Sequence, residues 1–322
     1  MYKVVNEFVT EARPMSEIYS ETIRELMAAN RDVVQVEADL GGCIFGGGPN
    51  VWTLPEGQIF DVGIAESNEV GVACGLAAAG KIPFAHTFAT FMSRRANDQI
   101  FISGCYAKNN VRLIGSDPGI MAAFNGGTHM PFEDVGALRA FNGMTIVEPS
   151  DNAMLKDLLR QLVELKGMFY IRMARKQMTK LYEDGSTFEI GKGNLLRDGK
   201  DVTIIATGIM LAEALEAAKL LEAEGISARV VDMFTIKPID EELVIRCAKE
   251  TGAIVTAENH SVLNGLGSAV CDVLCEKYPA PVEKVGVRDM FGEVGPVDYL
   301  KRRFNLTAAD IAARAKLAVA RK

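Results

Sequence analysis

The chain has 322 residues, which at roughly 150 residues per domain points to two domains. Its 35 Lys and Arg against 42 Asp and Glu give a net charge of −7. With no basic run, this excludes binding nucleic acid or an anionic membrane surface by bulk electrostatics. Apolar residues at 48% and charged residues at 24% fit a chain with full hydrophobic cores and exclude a disordered one.

In chain order, β-branched runs alternate with helix-period segments. Residues 32–40 predict a strand, followed by a glycine-rich loop over 41–49. A short strand at 58–62 precedes an alanine-rich helix at 67–80 that stops on Gly80. A strand at 81–87, a helix at 91–107, a strand at 110–115 and a long loop to 130 follow. Then come a helix at 133–141, a strand at 145–148, a helix at 151–165 and a strand at 168–171. Residues 173–200 are polar and break the rhythm, as an interdomain connection does. Alternation restarts with strands at 201–207, 227–232, 253–258 and 282–287, and helices at 210–224, 240–251, 265–277 and 307–320. The expectation is an α/β protein of two domains, 1–182 and 183–322, the first built on a parallel sheet with helices on both faces.

No apolar run reaches the ~18 residues of a membrane span, and Met1–Glu7 does not read as a signal peptide, so a cytoplasmic location is expected. The six cysteines are scattered and read as reduced thiols. Phosphate loops and the G-x-S-x-G nucleophile elbow are absent, and Gly265-x-Gly267 lacks the third glycine of a dinucleotide fingerprint. None of the three histidines, His86, His129 and His260, has metal spacing to another, yet all three follow or end predicted strands, where parallel sheets bind ligands. His260 reads as a structural or interface residue. The most informative stretch is Asp61-Val62-Gly63-Ile64-Ala65-Glu66. It ends a strand and puts a carboxylate where a helix begins. Glu66 is either a charge stabilised by the helix dipole or an acid aimed at a cofactor. Phe88 and Phe91, on the loop after the next strand, favour the second reading, because an acid beside an aromatic wall suits a flat heterocycle.

Asp61–Glu66, Thr87–Phe91, Gly126–His129, Val147–Asp151 and Ala257–His260 together resemble the transketolase family, over nearly the whole chain but only that family's C-terminal half. The resemblance implies a pyrimidine-binding domain followed by the transketolase C-terminal domain. The Gly-Asp-Gly motif that holds Mg²⁺ (or Ca²⁺) and the cofactor diphosphate in the family is missing. This implies the C-terminal subunit of a two-chain transketolase, which shares thiamin diphosphate with an N-terminal partner that holds the metal. The expected assembly is an α2β2 heterotetramer, with no metal ligand in this chain.

By the same resemblance, Glu66 hydrogen-bonds the aminopyrimidine through a carboxyl that carries a proton. Phe91 stacks on that ring beside Phe88, Arg95 lies near the helix start, and His129 contacts the sugar near its carbonyl. Arg13 and Arg172 would grip a sugar phosphate. Four positions of the substrate pocket depart from the family: Cys43 replaces a serine, Asp117 a histidine of the phosphate site, Asn125 an aspartate that reads a ketose hydroxyl, and Phe124 a glutamate. The implied activity is transfer of a two-carbon ketol unit from a ketose to an aldose, with an altered sugar as donor. The β subunit of a 2-oxo acid dehydrogenase, a deoxyxylulose-phosphate synthase and a non-catalytic pseudo-subunit are the alternatives.

Overall fold

The computed structural model describes residues 1–46 and 55–322. Residues 47–49 of the predicted glycine-rich loop lie outside these. Two compact units form: Met1–Pro118 with Ala137–Phe188, and Gly119–Gly136 with Glu189–Lys322.

The first unit is built on six parallel strands: β1 (Val33–Glu37), β2 (Ile59–Asp61), β3 (Ile82–Phe88), β4 (Val111–Ser116), β5 (Met144–Val147) and β6 (Met168–Met173). Their order is β5-β6-β4-β3-β1-β2. Strands β1, β4 and β6 are buried at every residue. This is why their sequences run apolar instead of alternating, as in sheets covered on both faces. The helices are α1 (Met15–Ala29), α2 (Gly41–Ile44), α3 (Glu66–Ala78), α4 (Ala89–Arg94), α5 (Asn97–Gln99), α6 (Asp134–Arg139) and α7 (Asn152–Glu164). The helix predicted over 91–107 is instead α4, α5 and a π-helical segment, Ile100–Tyr106. Helix α1, which packs on α7, is absent from the sequence reading.

Side chains close the ends of α7. Asp151 caps its start by accepting from Met154 N at 2.9 Å, and its other oxygen accepts from Leu181 N and Tyr182 N. At the far end, buried Arg112 donates to Leu162 O at 2.6 Å and also to Leu165 O, satisfying carbonyls that a helix end leaves open. Burial pushes the Arg112 pKa down to about 10.

In the second unit, β7 (Asn194–Arg197), β8 (Val202–Ala206), β9 (Ala228–Asp232), β11 (Ile254–Ser261) and β12 (Val282–Val287) form a sheet of order β12-β11-β8-β9-β7, with β10 (Thr235–Lys237) as a further short strand. Strand β7 is antiparallel to β9 and lies within the segment read as connection. Helices α8 (Met210–Ala223) and α12 (Ala308–Val319) pack together on this sheet, and α9 (Glu241–Thr251) packs with α10 (Leu266–Lys277); α11 (Val297–Arg303) precedes α12. The unit break at 188 lies a few residues past the boundary read from sequence, and the second unit also takes Gly119–Gly136. Three bonds tie that segment in: Ile120 N donates to Asn259 Oδ1, Ser261 N to Phe132 O, and Gly136 N to His260 Nε2.

The glycines of Gly265-x-Gly267 serve the chain itself. Glu258 accepts from Leu266 N at 2.7 Å and Gly267 N at 2.8 Å, so its carboxylate occupies the start of α10. A Cβ on Gly265 would fall on that carboxylate.

The interior of the first unit holds an extended polar network. Tyr19 Oη donates to Gln35 Oε1, Gln35 Nε2 to Glu37 Oε1, and the His86 ring lies between Glu37 Oε2 at 2.9 Å and Ser116 Oγ at 3.0 Å. Glu69, one turn into α3, is fully buried, and neither carboxyl oxygen has a hydrogen-bond partner among the described residues. Burial first, then the nearby Glu37, Glu66 and Asp61, holds its pKa well above the usual carboxylate range. Such a group binds a proton on folding. The stability it permits is present below the ordinary carboxylate pKa and lost as pH rises through the folded value. Glu69→Met is therefore expected to raise the thermal midpoint by an amount that grows from pH 4 to pH 8. The unsatisfied group costs about 1–3 kcal/mol, and melting curves across that pH range check it.

Candidate active site

The strands of the first unit end on one edge, and the chain leaves that edge by loops carrying Cys43 after β1, Glu66 after β2, Phe88 and Phe91 at β3, Asp117 after β4 and Arg175 after β6. The carboxyl-end edge of a parallel sheet is where the fold admits ligands.

Glu66 opens α3, where the helix dipole favours a negative charge. Its side chain is 2% exposed, and Oε2 accepts from Arg95 Nη1 at 2.6 Å. The Arg95 guanidinium lies over the Phe91 ring, 4.3 Å from the centroid. Phe91 meets Phe88 edge to face at 6.2 Å. Arg175 lies over Phe88 at 5.0 Å and forks onto Asp117, with Nε at 2.8 Å and Nη2 at 2.5 Å from Oδ2. The Arg175 backbone N–H donates to Asp117 Oδ1 at 3.2 Å, and Cys43 adds to Asp117 in favouring the charged guanidinium. Six side chains thus run in one file, Glu66–Arg95–Phe91–Phe88–Arg175–Asp117, with each cation laid on a ring and tethered by a carboxylate. Cation–ring contacts of this kind contribute about 0.5–2 kcal/mol each.

Of the residues named from sequence, Glu66, Phe88, Phe91, Arg95, Asp117 and Cys43 belong to this assembly. Arg172 and Arg13 do not. Arg172 is 1% exposed and donates from Nη1 to Glu148 Oε1 at 2.9 Å, which commits it within the interior. Arg13 is exposed and paired with Glu17 at 3.1 Å and Glu21 at 2.8 Å. Arg175, three residues beyond Arg172, was not singled out in the sequence. The strand read from sequence stops at 171, so both arginines follow it; the observed strand runs on to Met173 and takes Arg172 inside. Burial lowers the Arg175 pKa, but Asp117 and Cys43 outweigh it and the net shift is upward, so the side chain stays cationic. The structure gives the Glu66 carboxyl a cationic partner, Arg95. His86 lies within β3 with both ring nitrogens bonded. His260 is 1% exposed and held between Ser261 O and Gly136 N, a structural role.

His129 and Asn125 lie in the second unit, on the segment read as a long loop. That segment forms two 3₁₀ stretches, Gly119–Asn125 and Gly127–His129. His129 is half-buried, with Thr128 Oγ1 2.9 Å from Nδ1, and Asn125 is exposed. Two features hold this backbone under constraint. Ala123 has φ +46, a conformation that costs a non-glycine residue about 1–3 kcal/mol. Gly127 packs directly on the backbone of Gly292, so that a Cβ would fall on the Gly292 carbonyl.

Comparison with known proteins matches this arrangement to one family. Residues 11–180 match the transketolase pyrimidine-binding domain and residues 191–311 the transketolase C-terminal domain. The chain is 53% identical over 266 residues to the 6-deoxy-6-sulfo-D-fructose transketolase subunit SqwH of Clostridium sp. (strain MSTE9), covering 83% of each. It is 38% identical to an apulose-4-phosphate transketolase subunit of Phocaeicola vulgatus, covering 84% of this chain and 86% of that one. Among solved structures, a split-gene transketolase described as an inactive β4 tetramer superposes with a TM-score of 0.88 at 44% identity, over 97% of this chain and all of the other. The chain belongs to the transketolase family. It corresponds to the C-terminal, β-type subunit of the two-chain transketolases, enzymes that transfer aldehyde or ketone fragments. Among the described residues no helix is long and apolar enough to cross a membrane.

The contact at Gly127 makes a direct test of the His129 segment. Gly127→Ala forces the turn away from Gly292, and, on the expectation that His129 meets the substrate, turnover of the reconstituted pair should fall about tenfold or more. Steady-state assay beside the unfolding midpoint separates this from loss of fold.

Proposed function

We propose that this chain and an N-terminal partner subunit together form a thiamin-diphosphate-dependent transketolase. It would take a two-carbon ketol unit from a ketose with an anionic terminus and pass it to an aldose. The observation that carries the reading is the file of side chains from Glu66 to Asp117. It puts an acid and a phenyl ring at one end and an anion-binding guanidinium at the other, on the ligand edge of one sheet.

The residues present fit the coenzyme's aminopyrimidine. Glu66 is a buried carboxyl with Oε2 on Arg95 and no partner on Oε1 among the described residues. Phe91 is a ring with Arg95 laid over it. Glu66 would hold the aminopyrimidine nitrogen through a hydrogen bond and govern its proton, Phe91 and Phe88 would pack on the ring, and Arg95 would fix the Glu66 carboxyl. When bound, thiamin diphosphate supplies the electron sink for the carbanion left by carbon–carbon cleavage. His129, its Nδ1 held by Thr128, would exchange a proton with a sugar hydroxyl through its other nitrogen, a contribution of about 10²–10⁴-fold. Asn125 lies on the same segment and would read a hydroxyl. Arg175 takes the anionic terminus in place of Arg172 and Arg13, because its guanidinium lies on the ligand edge. The diphosphate and its Mg²⁺ would be held by the partner. The split-gene relative described as an inactive β4 tetramer supports dependence on that partner. The active form would hold two copies of each chain and lie in the cytoplasm.

The donor is proposed to be 6-deoxy-6-sulfofructose, on the strength of the 53% identity to a subunit named for that sugar. The chain alone is expected to be inactive and to gain ketol transfer when mixed with an N-terminal subunit that carries Gly-Asp-Gly. Glu66→Gln in the mixture is expected to lower kcat by about 10²-fold or more. Unchanged turnover in that variant contradicts the role of Glu66. Failure of the wild-type pair to bind thiamin diphosphate by calorimetry contradicts the whole reading.

A further inference from the structure

We infer that Asp117 sets the charge of the substrate tail, so that this subunit selects ketoses ending in a singly charged sulfonate over those ending in a doubly charged phosphate. The inference rests on the ketol-transfer reading above and assigns a specificity determinant within it.

The geometry is that of a built counter-ion. Asp117 directly follows β4 with φ +53, and its carboxylate is 3% exposed. It takes three donors from one residue: the backbone N–H, Nε and Nη2 of Arg175. The Arg175 side chain is 21% exposed, lies over Phe88 and has the Cys43 thiol beside it. A guanidinium carries five N–H groups in a fixed fork. Two of them go to Asp117 Oδ2 along one edge, and the remaining N–H groups can meet a tetrahedral anion.

Charge decides which anion gains. Asp117 and Arg175 together sum to zero, so the attraction they offer a tail is that of a dipole. Attraction grows in proportion to the tail's charge, whereas the cost of removing that charge from water grows with its square. A monoanion therefore keeps a net gain that a dianion loses. A sulfonate carries one charge at all working pH values, and a phosphate monoester carries about −1.5 to −2 near pH 7, with its second pKa near 6. A neutral hydrogen-bonding residue at position 117 would leave the full cationic field of Arg175 for a dianion.

Asp117→Asn isolates this effect. Asparagine tolerates the left-handed backbone; with its carbonyl at the Oδ2 position it still accepts from Nε and Nη2, while its NH2 takes the Oδ1 position and loses the Arg175 backbone N–H bond, so one charge is removed and the side-chain bonds that orient the guanidinium are kept. The reconstituted pair is assayed for kcat/KM with 6-deoxy-6-sulfofructose and fructose 6-phosphate, which share a carbon skeleton, and with uncharged erythrulose. Glyceraldehyde is the uncharged acceptor throughout, so that every donor, erythrulose included, yields a pentulose and a released aldehyde that differs from the acceptor. The wild-type pair is expected to favour the sulfonate at pH 7.5, and Asp117→Asn to shift the sulfonate-to-phosphate ratio toward phosphate by about tenfold or more. Lowering the pH from 7.5 to 5.5 protonates the phosphate once. The wild-type ratio is expected to move toward phosphate over that range, and the variant's ratio to move much less. Taking the ratio of two donors on one enzyme cancels those titrations of the protein that act on both donors alike, and comparison with Asp117→Asn over the same pH range accounts for the others. An equal fall for both anionic donors in Asp117→Asn marks a merely structural role and overturns the inference, as does a wild-type preference for phosphate at pH 7.5. A pair that cleaves erythrulose but neither anionic ketose overturns the inference and leaves ketol transfer standing. A pair that cleaves none of the three overturns both.

Discussion

The site depends on two guanidinium groups being held still on two adjacent phenyl rings. An arginine on a loop has about 2 kcal/mol of rotamer entropy to lose, and a ring contact alone does not recover it. Each cation is therefore also anchored by a buried carboxylate, Arg95 by Glu66 and Arg175 by Asp117. The rings meet each other, so the two anchored ends form one continuous edge-lining surface. Neither pair would be worth much in open water. Here one partner of each is almost fully buried, and the pairing spares the interior an unmatched charge.

The parallel sheet keeps the conformational cost of that surface low. Its central strands are buried on both faces and bring Phe88, Asp117 and Arg175 to a common edge at or within a few residues of a strand end. Left-handed backbone marks where the chain turns sharply there: Asp39 after β1, Gly63 after β2 and Asp117 after β4. Several helix starts are stopped with the chain's own carboxylates: Asp151 on α7, Asp240 on α9 and Glu258 on α10. Glu66 is the exception. It opens α3 without accepting from the helix's own N–H groups among the described residues and turns instead to Arg95. A carboxylate not used in capping remains available to a ligand.

Much of this was legible in the residues. The strand–helix alternation pointed to the two sheets, because apolar runs of five or six residues between helical periods have few other ways to be buried. The Asp61–Glu66 and Thr87–Phe91 stretches pointed to the acid and the rings through their place after strands. Other parts were not legible for physical reasons. Helix α1 lacks an N-terminal side-chain cap and has Pro14 before it, so its start carries a weak signal. Strand β7 pairs antiparallel at a sheet edge inside a polar segment, where edge strands are polar by design. The membership of Gly119–Gly136 in the second unit depends on bonds to Asn259 and His260, which lie far along the chain.

The sequence by itself determined the fold class, most of the strand–helix order and the family, and it pointed to Glu66 and the two rings, since each is carried by local pattern or by residue type at a strand end. Only the tertiary structure decided which arginine reaches the ligand edge of the sheet. Arg172 and Arg175 are three residues apart in one strand-ending segment. The last residues of β6 leave one inside with Glu148 and bring the other to the edge, onto Asp117 and Phe88. That choice follows from where the strand stops and from charges that follow β4 and β5, which are distant in sequence and adjacent only in the folded sheet.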